Sequence, residues 1–218
     1  MPLSSPRRYV TLAAPASAEI EVRRSRFRCD VAPVSAEEGA RAFVDDVRRS
    51  SRDARHHCTA FVLGPHGATA RSNDDGEPSG TAGAPMLDVL RGRGLTDVVA
   101  VVTRWFGGTL LGTGGLIRAY GDAVTAALDA ATPAVRELRE GRVVDVDHAA
   151  GPRVEHSLRG LAGVVVGDVE YLATGMRLHV AAVPEAVGDV DRTVAALTSG
   201  VGRVRPSEPS WVEVSEHD

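Results

Sequence analysis

The sequence predicts an α+β protein built as two domains. Segments of helical period alternate with short strand-like runs as far as residue 133. There Pro133 stops a long helix, and a polar stretch follows to about Gly141. From Val144 onward the pattern restarts with a rhythm of its own. The expected division is a flexible tail over 1–18, a first domain over 19–137 and a second over 138–218. A hydrophobic fraction of 43% and a charged fraction of 25% are those of an ordinary globular chain.

In the first domain, Glu19 to Val34 reads as extended segments around Arg23-Arg24-Ser25-Arg26. Ser35 and Glu38 form a capping box. Ala40, Phe43, Val44 and Val47 follow at helical spacing, so a helix is expected over about 36–50. His57 to Leu63 reads as a strand, and Gly64-Pro65-His66-Gly67 as a turn into a second short one. Ser72 to Gly83 is polar and glycine-rich, hence a loop. Pro85 suits the first turn of a helix carrying Met86, Leu87, Val89 and Leu90. Val98-Val99-Ala100-Val101-Val102 has the unbroken apolar run of a strand buried on both faces. After a loop at Gly107–Gly115 comes a long helix. Leu116, Tyr120, Val124, Ala127 and Ala131 form its inner stripe, opposite Arg118, Asp122, Thr125 and Asp129.

In the second domain, Val144 and Val146 alternate with Asp145 and Asp147 as in a half-buried strand. A helix opens at Pro152, with Val154, Leu158 and Leu161 inward. Val164–Leu172 and Met176–Val183 make a hairpin about Ala173-Thr174-Gly175. Another helix starts at Pro184, and a last strand includes Val212 and Val214. The order β-α-β-β-α-β is that of a ferredoxin-like split βαβ domain, a fold that by itself specifies no activity.

All 25 basic residues are arginine, the pattern a GC-rich coding bias produces. Without lysine there is no P-loop lysine, no Schiff base and no lysine general base. The net charge of −4 means that any nucleic-acid site must be a local patch. Arg23, Arg24, Arg26 and Arg28 supply one, of which half must face inward if the segment is a strand. Cys29 and Cys58 lack metal-ligand spacing, are too few for a disulfide framework and read as buried thiols, though they could be close in space. No run approaches the roughly 20 apolar residues of a membrane span. The short run after Arg7-Arg8, broken by Thr11, Pro15 and Ser17, reads as a cytosolic tail rather than a signal.

Two loops are candidates for chemistry. In the first, Asp74, Asp75 and Glu77 are three carboxylates within four residues, followed by the hydroxyls of Ser79 and Thr81 at a helix start. The carboxylates suit Mg²⁺, and the hydroxyls and free N–H groups suit an anion. The same composition is that of a capped turn. In the second, Arg104 and Arg118 flank Gly107, Gly108, Gly112, Gly114 and Gly115. That pattern lets a backbone approach a phosphate or carboxylate beside fixed charge, or serves only a tight connection. It matches neither G-x-G-x-x-G nor a P-loop. Trp105 and Phe106 suit base stacking or the core. On a strand, His57 and Cys58 point to opposite faces. His56 and Cys58 share one, more often as a satisfied histidine beside a buried thiol than as a catalytic pair.

Three of these runs together resemble the IMPACT family: Asp74-Asp75-Gly76-Glu77-Pro78-Ser79-Gly80-Thr81-Ala82-Gly83, Val101-Val102-Thr103-Arg104-Trp105-Phe106-Gly107-Gly108 and Leu111-Gly112-Thr113-Gly114-Gly115-Leu116-Ile117-Arg118-Ala119-Tyr120. Arg24-Ser25-Arg26-Phe27 and the alternation His56, Cys58, Ala60 match weaker family positions. Trp105 departs from the family's usual tyrosine. The resemblance covers about 24 to 121 and implies an N-terminal domain of the ribosomal-protein S5 domain 2-like fold before the ferredoxin-like one. This pair is similar to the two C-terminal domains of elongation factor G. Eukaryotic relatives regulate translation by binding the activator of a starvation-responsive kinase, and the resemblance establishes no catalytic activity.

The leading expectation is therefore a non-enzymatic, translation-associated binding or regulatory protein of the cytoplasm. Its partner would be RNA, the ribosome or a translation-factor protein, with no membrane, metal or cofactor. The alternative is a Mg²⁺-dependent enzyme acting on a phosphorylated small molecule or nucleotide. There Asp74, Asp75 and Glu77 would hold the metal while the second loop took the phosphate. No nucleophile or base is placed by sequence to complete such a site.

Overall fold

The structure is a computed structural model that describes residues 7–214. It is a mixed α/β chain with two sheets, and it divides into two compact units between Val135 and Arg136.

The first unit holds β1 (Arg8–Leu12), β2 (Ala16–Val22), β3 (Ser25–Pro33), α1 (Glu37–Ser50), β4 (His56–Leu63), β5 (Thr69–Asn73), α2 (Gly83–Gly92), β6 (Val98–Trp105) and α3 (Thr113–Asp129). Its sheet runs β2-β3-β6-β4-β5, antiparallel throughout. The central strand is buried on both faces, as its apolar run requires. Val98, Ala100 and Val102 face α2 and α3 in the main core, while Val99 and Val101 face α1. Cys29 and Cys58 both pair with Val102, from opposite sides. Two strand spacings separate them by about 10 Å, too far for a disulfide.

Three expectations fail here. The expected tail is not one over its described part: residues 8–12 and 16–22 are strands, and residues 1–6 of it lie outside the described residues. The Tyr9 hydroxyl donates to Asp97 Oδ2 at 2.5 Å, Thr11 Oγ1 donates to the Asp97 carbonyl at 2.9 Å, and the Thr96 N–H bonds the Val10 carbonyl. These anchors lie more than eighty positions away, where no local pattern reveals them. The capping box is absent, because α1 starts from an extended Ala36 with no side-chain cap. The linker after Pro133 is instead the beginning of a strand, β7 (Pro133–Val146).

The second unit takes β7 beyond residue 135, then α4 (Gly151–Arg159), β8 (Val164–Leu172), β9 (Gly175–Ala182), α5 (Val187–Leu197) and β10 (Arg203–Val214). Its strands lie in the order β10-β7-β9-β8. Val144, Leu178, Val180 and Val166 pack against Val154, Leu158, Val190 and Val194 of the two helices. The opposite face carries a transverse row of charge. Arg205 and Arg177 each bond Asp145 at 2.7 Å, and Glu170 bonds His179 at 2.7 Å. The Arg177 bond, assisted by Arg205, outweighs partial burial and holds the Asp145 carboxyl below its usual range.

Candidate functional site

In the antiparallel sheet of the first unit, β2 and β6 end, and β3 and β4 begin, at one edge. The turn between β2 and β3, the segment before β4, the acidic loop after β5 and the glycine-rich loop after β6 therefore gather there. The two candidate loops meet through Glu77, whose Oε1 accepts Arg104 Nη1 at 2.6 Å and the Tyr120 hydroxyl at 2.7 Å. The Arg104 and Glu77 side chains are 7% and 4% exposed. Arg104 is thus not a charge presented to a phosphate, because it is spent on neutralising a buried carboxylate. Its guanidinium carbon lies 5.4 Å from the Phe27 ring and 5.7 Å from that of Phe106. Burial, and then the neighbouring Cys58 and Glu77, push the Tyr120 phenol far up, so it stays a proton donor to Glu77.

Asp74 accepts the N–H groups of Gly80, Ala82 and Gly83 at 2.8, 3.0 and 2.8 Å. It thereby caps α2 from a distance. Burial would raise its pKa, but these three donors outweigh burial and the net shift is downward. Asp75, at φ 43°, accepts Arg48 Nη2 at 2.8 Å and the His57 N–H at 2.7 Å. Thr81 is buried and donates to the Pro78 carbonyl at 2.6 Å, while Ser79 is exposed at the turn. The three carboxylates point at three separate sets of donors. Among the described residues no group of three or more His, Cys, Asp or Glu is arranged for a metal ion. Of the two readings their composition allows, the geometry is that of a capped and clamped turn, and the carboxylates are not gathered as a Mg²⁺ site would need.

His56 and Cys58 do share a face but do not act on each other. His56 Nδ1 donates to the Asp75 carbonyl at 2.8 Å, and the Cys58 thiol donates to the Asp74 carbonyl at 3.0 Å. Burial pushes the Cys58 thiol up to about 12, which removes the thiolate.

The second loop is built differently. A Cβ on Gly107 would stand 2.0 Å from the Arg24 carbonyl carbon, and the Gly107 N–H bonds Ser25 Oγ at 3.1 Å. Only glycine fits there, and the contact ties the loop to the β2–β3 turn. Gly112 precedes α3 at φ 72° and gives it no side-chain cap. Gly108, Gly112 and Gly114 border open space, and Gly115 sits against Leu111. Arg118 is exposed. Trp105 is half-buried, with its Nε1–H on Asp53 at 2.9 Å and Arg26 lying 4.6 Å over its ring. Three large apolar side chains of this loop and the helix it feeds remain in solvent: Phe106 at 53%, Leu110 at 81% and Ile117 at 40% exposed.

The basic patch is larger than expected. Arg23 and Arg24 occupy the turn, at φ 48° and 68°, so only Arg26 and Arg28 lie on strand β3, and both alternate outward against Ser25, Phe27 and Cys29. All four are exposed, as are Arg52 and Arg55 before β4, which the sequence did not single out. Two adjacent non-glycine residues at positive φ cost about 1–3 kcal/mol each. The usual Asn-Gly signal of such a turn is missing. Among the described residues Arg23, Arg24, Arg52, Arg55 and Arg118 take part in no ion pair, whereas Arg26 faces Glu19 and Arg28 faces Asp30.

The family described as Impact N-terminal domain matches residues 23–128, a span holding both loops and the basic turn. The chain is 34% identical over 205 residues to IMPACT family member YvyE of Bacillus subtilis (strain 168), covering 94% of each. It is 49% identical over 118 residues to IMPACT family member YigZ of Escherichia coli (strain K12), covering 53% of this chain and 58% of that protein. A crystal structure of a hypothetical protein, 35% identical, covers 93% of this chain and 98% of its own, with a TM-score of 0.69.

Proposed function

This chain belongs to the IMPACT family, and from that premise we propose that it is a non-enzymatic, translation-associated protein that engages RNA of the translation machinery. The observation that carries the reading is the set of exposed arginines at the loop end of the first unit, Arg23, Arg24, Arg52, Arg55 and Arg118, which take part in no ion pair among the described residues. A chain of net charge −4 gains nothing from concentrating them unless they face an anion. The strained turn that carries two of them points the same way, since positions of this kind collect at functional sites.

We read the first unit as the S5 domain 2-like domain and the second as the ferredoxin-like domain. The second assignment is supported by the strand order β10-β7-β9-β8 under two helices. The cytoplasm is the proposed compartment, consistent with two buried free cysteines and no described helix long and apolar enough to cross a membrane.

The test is co-sedimentation with ribosomes over a salt series, comparing the natural chain with Arg23→Glu/Arg24→Glu. Association should weaken as salt rises, through counterion release, and should vanish in the variant. Association insensitive to both salt and substitution would sink the reading.

A further inference from the structure

We propose that the loop after β6 is an apolar wedge that selects unpaired RNA, its exposed Phe106 and Leu110 meeting bases while the arginines around it hold the phosphates. This rests on the preceding reading and names the class of RNA. Among the described residues the exposed large apolar side chains are Phe106, Leu110, Ile117, Tyr171 and Val201, and three of the five fall within twelve positions of one loop and helix start. Singly exposed apolar residues need no explanation, but three in one loop and helix start do, at the end of the unit that also carries the arginines outside any ion pair among the described residues.

The chemistry of the ligand follows from the combination. Arginines alone would suit any anion, a duplex included. Phosphates on both strands of a duplex shield its bases, so exposed apolar side chains would meet only charge and sugar. Where bases are splayed from a single strand, loop or bulge, each offers a flat π-face to an aromatic or aliphatic side chain. Phe106 is suited to this task, because the Arg104 guanidinium lies 5.7 Å from its ring and more than half of its surface stays open.

The geometry also couples the two halves of the surface. Gly107, next to Phe106, is pressed against the Arg24 backbone and bonded to Ser25, so the wedge and the basic turn keep a fixed relation. Leu110 lies further out, between Gly108 and Gly112, which are at positive φ and border open space.

The experiment measures fluorescence anisotropy with three probes: single-stranded poly(U), a blunt RNA duplex of mixed sequence, and that duplex carrying an internal loop. The proteins are the natural chain, Phe106→Ser/Leu110→Ser and Arg23→Ala/Arg24→Ala. The natural chain should prefer the single strand and the looped duplex over the blunt duplex by about tenfold. The serine variant should lose that preference while its dependence on salt stays unchanged. The alanine variant should weaken on all probes alike and show a shallower salt dependence. Equal affinity for blunt duplex and single strand, or a preference that survives in the serine variant, would overturn the wedge and leave the basic surface standing. Binding to no RNA probe overturns it too, and ribosome co-sedimentation then shows whether the broader reading falls with it. If the serine variant loses ribosome association while its RNA affinities are unchanged, the loop meets a ribosomal protein and the wedge is again overturned.

Discussion

The loop at residues 74–83 and the loop at 107–115 stand side by side at one end of a sheet, are both glycine-rich and both run into a helix. They nevertheless treat their polar and apolar groups in opposite ways. The first turns its carboxylates inward, onto N–H groups, onto Arg48 and onto the buried Arg104. The second leaves Phe106 and Leu110 in solvent and spends one glycine on touching a neighbouring turn. Density of functional-looking side chains is therefore a poor guide to where a surface works. What discriminates is whether each group already has a partner.

That contrast can be broken most forcefully at its shared point. Glu77→Ala should cost about 3–5 kcal/mol of stability, because it strands the Arg104 charge in the core. Urea unfolding checks this. A loss below about 1 kcal/mol would mean the pair is hydrated in solution and the first loop less closed than described. Gly107→Ala comes next. A methyl group 2.0 Å from the Arg24 carbonyl carbon must displace either loop or turn, at about 1–3 kcal/mol, and should weaken RNA binding as well as lower Tm.

Asp74→Ala should cost about 1–2 kcal/mol as a lost helix cap. Its carboxyl is held below the ordinary value of 3.8, so the stability it contributes is complete above that value. The contribution disappears as pH falls through the lower folded pKa. In Asp74→Asn the acid limb of a Tm-against-pH curve should accordingly flatten. The smallest effect sharpens the contrast from the other side. Leu110→Ser should leave stability unchanged within about 0.5 kcal/mol, and a larger loss would show that this side chain packs rather than protrudes.

Much of the architecture was legible from periodicity. The run Val98–Val102 foretold a strand buried on both faces, and the stripe Leu116, Tyr120, Val124 and Ala127 foretold the inner face of α3, although its expected last member, Ala131, lies past the helix end at Asp129. What escaped depends on partners distant in the chain. Strand β1 is held by Asp97, and β7, which begins at Pro133, has partners from distant parts of the chain, among them β9, where Glu140 opposes Ala182. At the candidate site, the meeting of the two loops could not be read, because it runs through Glu77 and Arg104, 27 positions apart. Arg104 looked like an offered charge for the same reason. The arginine turn was half legible. Its composition was visible, but Arg23 and Arg24 carry no turn signal, so an alternation rule turned half of the patch inward.

Cys29 and Cys58 flank the central strand of the first unit, both fully enclosed, and the second unit holds no cysteine. Alkylation by a thiol reagent consequently needs the first unit to open. The labelling rate is a clock for the half of the molecule that holds both thiols. Run with and without bound RNA, that clock would time how strongly a ligand at the loop end holds the first core shut.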